Sequence, residues 1–304
     1  LNYIIYTDNF NENVGGTIAL HKLCDLLNRM GQKAYLWPWT LHRPIFDNKH
    51  PFTSTYQFFK YYRRKKRKKF YTFDGFITPI AKRSDLRNSI VIYPEIIDGN
   101  PLQVSNVVRW LLHKPGFHTG RINYGENDLY FFFQEIFNDP KLNPYPNHLL
   151  TVLWVRDDIY KQTNYGHREG VCYMVRKGKD RQLVHDTSTS ILLDNLPHHK
   201  IAKIMNQCEY FISYDMETMY SQYAVLCGCK SIVIPQQGIS KEQWQPKEEF
   251  RSGIAYGFDD IEEAEKTAPL VYNVLRNIET KSKESVEFFV ERTHTLFKTD
   301  NKRQ

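Results

Sequence analysis

Three bases, Arg176, Lys177 and Lys179, follow the apolar run from Val171 to Val175, with Gly178 among them. Cations at the carboxyl end of a strand suit a diphosphate leaving group, because negative charge builds there as the bond breaks. Gly178 would let backbone approach such a group closely. Further along, Tyr210 to Pro235 reads as strand, turn, helix, strand. The first strand ends at Tyr214-Asp215, and Glu217 and Thr218 open the helix, with Ser221 one turn on. A helix start carries unpaired N–H groups and partial positive charge, which suits phosphate. Hydroxyls of Thr218 and Ser221 add donors, and Asp215 or Glu217 could accept from ribose hydroxyls. The same residues also have plain structural uses, Thr218 as a helix cap and Asp215 as a turn residue. A third candidate is the Gly15-Gly16-Thr17 turn, where a glycine pair admits a ligand close to the backbone.

These residues need a scaffold of strands and helices. Tyr3 to Thr7 is a short apolar, β-branched run and predicts a buried strand. Thr17 would cap a helix from Ile18 to Met30, whose apolar residues recur at helical spacing. Gly31 ends it, and an extended pattern resumes at Ala34 to Leu36. That is the opening of a parallel α/β layer. Residues 38–70, rich in aromatics, Pro and bases, read as an insertion. Further strands are expected at Phe73 to Ile80, Ser89 to Pro94 and Leu129 to Phe133, and a short helix at Val104 to Leu112. The punctuation at Pro140, Asn143, Pro144 and Pro146 marks a linker. The α/β rhythm then returns, with strands at Leu149 to Val155, Val171 to Val175, Tyr210 to Ser213 and Ser231 to Ile234. Helices are expected at Lys200 to Met205, Thr218 to Leu226, from Ile261 on, and at Val286 to Phe297. His198-His199 reads as a helix start on the surface. Phe131 to Phe133 and the tryptophans Trp110, Trp154 and Trp244 read as packing.

The length of 304 residues fits two domains of roughly 150 each, and the composition excludes a disordered, collagen-like or low-complexity chain. The expected domains are 1–147 and 148–304, the last helix returning to the first domain. No apolar stretch reaches the ~18 residues a spanning helix needs, and no secretion signal is visible. The sequence opens on Leu1 rather than Met, which fits a trimmed chain or a module of a longer polypeptide. Cys24, Cys172, Cys208, Cys227 and Cys229 sit in apolar runs and read as buried thiols of a reducing compartment, not as zinc ligands.

Net charge is +7, and it is concentrated. Lys60, Arg63, Arg64, Lys65, Lys66, Arg67, Lys68 and Lys69 are eight of the 41 bases; without them 33 bases face 34 acids. A near-neutral body with one basic run flanked by Tyr56, Phe58, Phe59, Tyr61, Tyr62 and Phe70 fits contact with anionic lipid headgroups through residues 63–69. A solvated loop is the bland alternative. Nucleic-acid proteins more often spread their charge over a face or groove.

Taken together, the Gly15-Gly16 opening, the Arg176-Lys177-Gly178-Lys179 turn and the Glu217-to-Gly228 block before Ser231 to Pro235 resemble GT-B glycosyltransferases. The resemblance covers most of the chain, and the nearest likeness is to bacterial transferases building surface polysaccharides. It implies an α/β fold of two Rossmann-like domains facing across a cleft. The N-terminal domain would hold a glycan or lipid-linked glycan acceptor, and the C-terminal domain a nucleotide-diphosphate sugar. Arg176, Lys177, Lys179, Tyr214, Asp215, Glu217, Thr218, Ser221, Gly15 and Gly16 would bind the donor. The chain has no Asp-x-Asp motif, so cations rather than a required metal or other cofactor would meet the diphosphate. An inverting reaction needs a general base at the acceptor hydroxyl. Glu95 and Asp98, just past a strand end, rank first, Asp8 next, ahead of Glu12, Glu126, His113 and His118. The expected setting is cytoplasmic, with contact to the inner face of the membrane. The rivals are a nucleotide-sugar epimerase on the same scaffold, a nucleic-acid binder using the basic run, and a non-catalytic sugar-binding module.

Overall fold

A computed structural model describes residues 1–39, 51–67 and 70–300. The chain divides into one unit of residues 1–154 and 279–304 and another of residues 155–278. Each unit holds a five-stranded sheet with parallel pairing throughout.

The first unit begins with β1 (Asn2–Thr7), α1 (Gly15–Arg29) and β2 (Lys33–Pro38). Then come α2 (Pro51–Arg67), β3 (Ser89–Pro94), β4 (Asn106–Leu111) and β5 (Leu129–Phe132). Its strand order is β2-β1-β3-β4-β5. Alternation along β1 sends Tyr3 and Ile5 to one face, against Leu20, Leu23 and Leu27 of α1, and Ile4 and Tyr6 to the other, with Val91 and Tyr93. The sheet is buried on both faces, so its strands are nearly continuous apolar runs. That explains one correction: the segment expected as a helix at Val104 to Leu112 is β4. Val107, Val108, Trp110 and Leu111 satisfy either period, and a β-branched pair inside a sheet favours the strand.

Phe73 to Ile80 forms no strand beyond a single bridge from Ile80 to Leu36. Asp74-Gly75 makes a turn, and Phe73 and Phe76 pack with Phe10 and Trp154 instead. Leu149 to Val155 likewise makes only one bridge, Leu149 to Phe132. Leu150 and Val152 are buried in the first unit's core, so the division falls at Trp154 rather than at 147. The presumed insertion contains α2. The helix includes Arg63, which is exposed, and Arg64, Lys65, Lys66 and Arg67, whose side chains are outside the described set. Lys68 and Lys69 lie outside the described residues.

The second unit runs through β6 (Val171–Met174), β7 (Ile191–Leu192), α3 (His198–Met205), β8 (Tyr210–Ser213) and α4 (Tyr220–Leu226). It continues with β9 (Lys230–Val233), α5 (Lys241–Trp244), β10 (Ile254–Tyr256) and α6 (Ile261–Thr267). Its order, β10-β9-β8-β6-β7, is the first sheet's order read from the other edge. Both sheets therefore share one topology without a repeat in sequence. His198 opens α3 but is buried, not on the surface: its Nδ1 pairs with the Tyr160 hydroxyl at 2.6 Å. All five cysteines are buried and free. The last helix, α7 (Val271–Asp300), passes into the first unit at Glu279. There Phe289 packs edge-on against Phe131, and the Thr293 hydroxyl pairs with that of Tyr3 at 2.8 Å. No helix among the described residues is long and apolar enough to cross a membrane.

Candidate active site

In an open parallel sheet, neighbouring crossovers leave on opposite faces where the strand order reverses, and a crevice opens there beyond the carboxyl ends of the strands. The reversal lies between β1 and β3 in the first unit and between β6 and β8 in the second. The β1–β3 register pairs Asn2 with Ser89 and Ile5 with Ile92. Continued past the strand ends, it sets Asp8 level with Glu95. The β6–β8 register pairs Val171 with Tyr210 and Met174 with Ser213. Continued likewise, it sets Arg176 level with Asp215. The two crevices thus carry opposite chemistry, two carboxylates in one and a guanidinium–carboxylate pair in the other.

In the first unit, Asp8 is exposed and lines an open depression of about 750 Å³ with Asn9, Asn11, Glu12, Thr17 and Phe73. The first turn of α1 borders it. Val14 occupies the cap position without a side-chain bond and no acidic residue lies in the first turn, so the carboxyl groups bordering the helix's positive end are those of Asp8 and Glu12 in the preceding loop. Thr17 is not the cap. It lies inside the helix, its hydroxyl donating to the Asn11 and Val14 carbonyls. A Cβ at Gly15 would meet nothing, so its own chain does not demand a glycine there.

Glu95 is only 5% exposed, and its Oε2 accepts the Leu112 amide at 3.0 Å. Burial pushes its carboxyl up from 4.5 to about 7, against the pull of the amides of Glu95, Leu112 and His113 and of Arg109. A base poised near neutrality suits deprotonation of a hydroxyl at physiological pH. Its backbone is held firmly. Tyr124 donates its hydroxyl to the Glu95 carbonyl at 2.8 Å. Arg109, fully buried on β4, donates to the Ile97 and Gly99 carbonyls at 2.6 and 2.7 Å. It also grips Asp128 Oδ2 at 2.7 Å through Nη2. This clamp escaped the sequence reading because Arg109 sat in a presumed helix; its signal was a lone base inside an apolar run. Asp98 faces solvent and is engaged by Arg121, whose Nε donates at 2.9 Å, which leaves it less suited to act as a base.

In the second unit, the chain leaves β6 in a tight turn. The Val175 and Arg176 amides each donate to the Asp194 carboxylate at 2.8 Å. That carboxylate holds Arg176 at φ +41°, a left-handed conformation that costs a non-glycine residue energy and is concentrated at functional sites. The Arg176 Nε lies 3.7 Å from Asp215 Oδ2, and its guanidinium is 5.4 Å from the centre of the Tyr220 ring. Lys177 Nζ donates to Glu217 at 2.6 Å, both side chains largely in solvent, and Lys179 is exposed. Arg181 donates to the carbonyls of Tyr214, Ile234 and Pro235 at the ends of β8 and β9. Asp194 and Arg181 were not singled out by sequence, since β7, which precedes Asp194, is two residues long.

Several expected donor ligands have other occupations here. Tyr214 is buried, its hydroxyl accepting from the Val184 amide at 2.8 Å and pairing with His185 Nδ1 at 2.7 Å. Gly178 is required for packing, because a Cβ would collide with the Tyr214 carbonyl. Asp215 is buried and accepts the Glu217 amide at 3.0 Å, as a turn residue does. Thr218 accepts the Tyr220 amide at 3.3 Å. The Ser221 hydroxyl is buried without a hydrogen-bond partner. Arg176, Lys177, Lys179, Glu217 and Thr218 are the members that reach solvent at the strand ends.

The chain matches no protein-family model and no curated protein. Solved structures are similar to it in chain path. T4 phage BGT in complex with its UDP-glucose substrate gives a TM-score of 0.47 at 9% identity, covering 96% of this chain and 99% of that one. The glycotransferase of kitacinnamycin gives 0.41 at 10%, covering 96% and 98%. Sucrose-phosphate synthase from Thermosynechococcus elongatus gives 0.37 at 8%, covering the whole of both chains. Neither the identities nor the scores are high enough to transfer a residue role, so the roles below come from this chain's own geometry.

Proposed function

We propose that the protein is a GT-B type glycosyltransferase that moves a sugar from a nucleotide-diphosphate donor to a glycan acceptor. The observation that carries the reading is the pair of matched switch points. One presents carboxylates at a helix start, and the other presents a strained arginine beside two lysines. Arg176, Lys177 and Lys179 meet the donor's diphosphate, which leaves as a nucleoside diphosphate stabilised by their charge. No metal is required in this reading, since side-chain cations supply that charge. Glu95 takes the proton of the acceptor hydroxyl as its oxygen attacks the anomeric carbon, which inverts that centre. Asp8, Asn9 and Asn11 supply polar partners for acceptor hydroxyls in the depression, and Phe73 lines it as an apolar surface.

The acceptor's place in bacterial surface-polysaccharide synthesis is supported by the sequence resemblance. Five buried free thiols fit a reducing, cytoplasmic setting. Calorimetry with UDP and GDP tests the donor assignment. Arg176→Ala is expected to weaken the preferred diphosphate at least tenfold, about 1.4 kcal/mol. Equal affinity in the variant overturns the assignment. Donor consumed only with acceptor present separates transfer from epimerisation.

A further inference from the structure

Helix α2 does not behave as a crossover helix packed on a sheet. In its described part only Ser54 is buried and Phe58 half-buried, while Phe52, Tyr56 and Phe59 are 91%, 64% and 60% exposed. At 100° per residue, positions 52, 56, 59 and 63 fall within an arc of about 60°, and 54 and 58 lie on the opposite side. The helix therefore seats itself by one narrow face and turns an aromatic stripe away from the body. The stripe runs into Arg63, whose guanidinium lies 5.8 Å from the Phe59 ring centre. Beyond it the basic run continues to Lys69, and no acidic residue occurs between Asp47 and Asp74.

We propose that α2 is an interfacial helix that lays Phe52, Tyr56 and Phe59 into the headgroup region of an anionic bilayer, with Arg63 beside them for the lipid phosphates and the bases that follow it in sequence adding positive charge. Aromatic rings favour that depth, and each nearby Lys or Arg is drawn by the negative surface potential. The aromatic stripe selects this partner. A nucleic-acid duplex would engage the cations through its phosphates and leave the exposed rings of Phe52, Tyr56 and Phe59 in water. The proposal is independent of what the two switch points bind.

Co-sedimentation of the full chain tests it, with phosphatidylcholine vesicles and with vesicles holding about 30% phosphatidylglycerol. The wild type is expected to sediment with the anionic vesicles and not with the neutral ones. Combining Phe52→Ser, Tyr56→Ser and Phe59→Ser removes side chains that touch mainly water, so the fold survives, as circular dichroism verifies. That variant should partition at least about tenfold less at unchanged charge. Wild-type partitioning in the variant overturns the proposal, because it leaves the rings idle. So does a wild type that ignores anionic vesicles but retards a DNA duplex at the same concentration. Nucleoside-diphosphate affinity measured on the same variant should stay unchanged, so a failed donor assignment cannot be confused with a failed membrane assignment.

Discussion

Replacing Glu95 with glutamine should make the protein more stable at alkaline pH and nearly inactive. The folded carboxyl titrates at about 7, against 4.5 for the ordinary group. At about 1.4 kcal/mol per tenfold, that difference is worth about 3 kcal/mol. The folded state holds the proton more tightly than the unfolded chain does. The favourable contribution is therefore complete below 4.5, falls away as pH rises through 7, and is absent above it. Glutamine resembles the protonated form at every pH, and its Oε1 can still accept the Leu112 amide. Glu95→Gln should match the wild type near pH 4.5 and exceed it by up to about 3 kcal/mol at pH 8, with the gap opening between those limits. Urea titrations across that range read it directly. Turnover should fall by about 10² or more if Glu95 is the base, and the wild-type rate should decline as pH drops below about 7, a limb that the variant lacks. Parallel stability curves, or a variant weaker than wild type at pH 8, would refute the claim that burial governs this carboxyl. A stabilised variant with full turnover would instead remove Glu95 from the chemistry, leaving Asp8 at the matched position.

Arg176→Gly and Arg176→Ala both take the guanidinium from the buried Asp215 carboxylate and should weaken the donor diphosphate, but only glycine relieves the left-handed backbone at φ +41°, so it should be the more stable of the two by roughly 1 kcal/mol in thermal melts; equal melts would contradict the strain. Arg109→Ala leaves the buried Asp128 carboxylate without its cation and should cost about 3–5 kcal/mol, measured by denaturant unfolding; a loss below about 1 kcal/mol would contradict the clamp. Burial holds His148 below its ordinary 6.5, stacked between Phe131 and Tyr145, with Arg292 donating to its Nε2 at 3.2 Å. Its neutral form contributes stability that is full above 6.5 and lost as pH falls below it, so amide protection in residues 279–300, with the intrinsic exchange rate divided out, should drop in that window and stay flat in His148→Gln.

The elements legible in sequence were those whose apolar residues admit one period. β1, β3, β5, β6, β8 and β9 are short β-branched or aromatic runs bounded by polar turns, and α1 keeps helical spacing for four turns. β4 was misread because its apolar positions fit two periods, and only its place between β3 and β5 decides. β7 and β10, of two and three residues, give no periodicity to read. In the candidate site, Asp8, Glu95 and Arg176 were visible because a charged residue ending an apolar run marks a strand's carboxyl end. Their neighbours were not. Arg109 finds Asp128 through the β4–β5 register, and Asp194 reaches back to the amides that follow β6. Gly178 also permits a close approach to the Tyr214 carbonyl, which no local pattern reveals.

The shared topology of the two sheets explains how such different sequences build comparable sites. A strand order fixes where the crevice opens, and the pairing register fixes which residues stand level across it. Neither depends on side chains beyond the strands. The two residues just past the reversing strands can therefore change freely while their positions stay the same, as Asp8 and Glu95 do against Arg176 and Asp215. What each unit adds is support suited to its charge. The acidic pair receives a helix start with no acidic residue in its first turn and a buried arginine clamp on the Ile97 and Gly99 carbonyls that follow Glu95. The basic turn receives Asp194, which binds backbone amides and leaves the Arg176 side chain for other partners. The proton acceptor is thus tuned by burial and the anion binder by backbone strain. That difference is why glutamine at 95 and glycine at 176 should each relieve a cost that the fold carries, desolvation in one and backbone strain in the other, while removing opposite halves of the reaction.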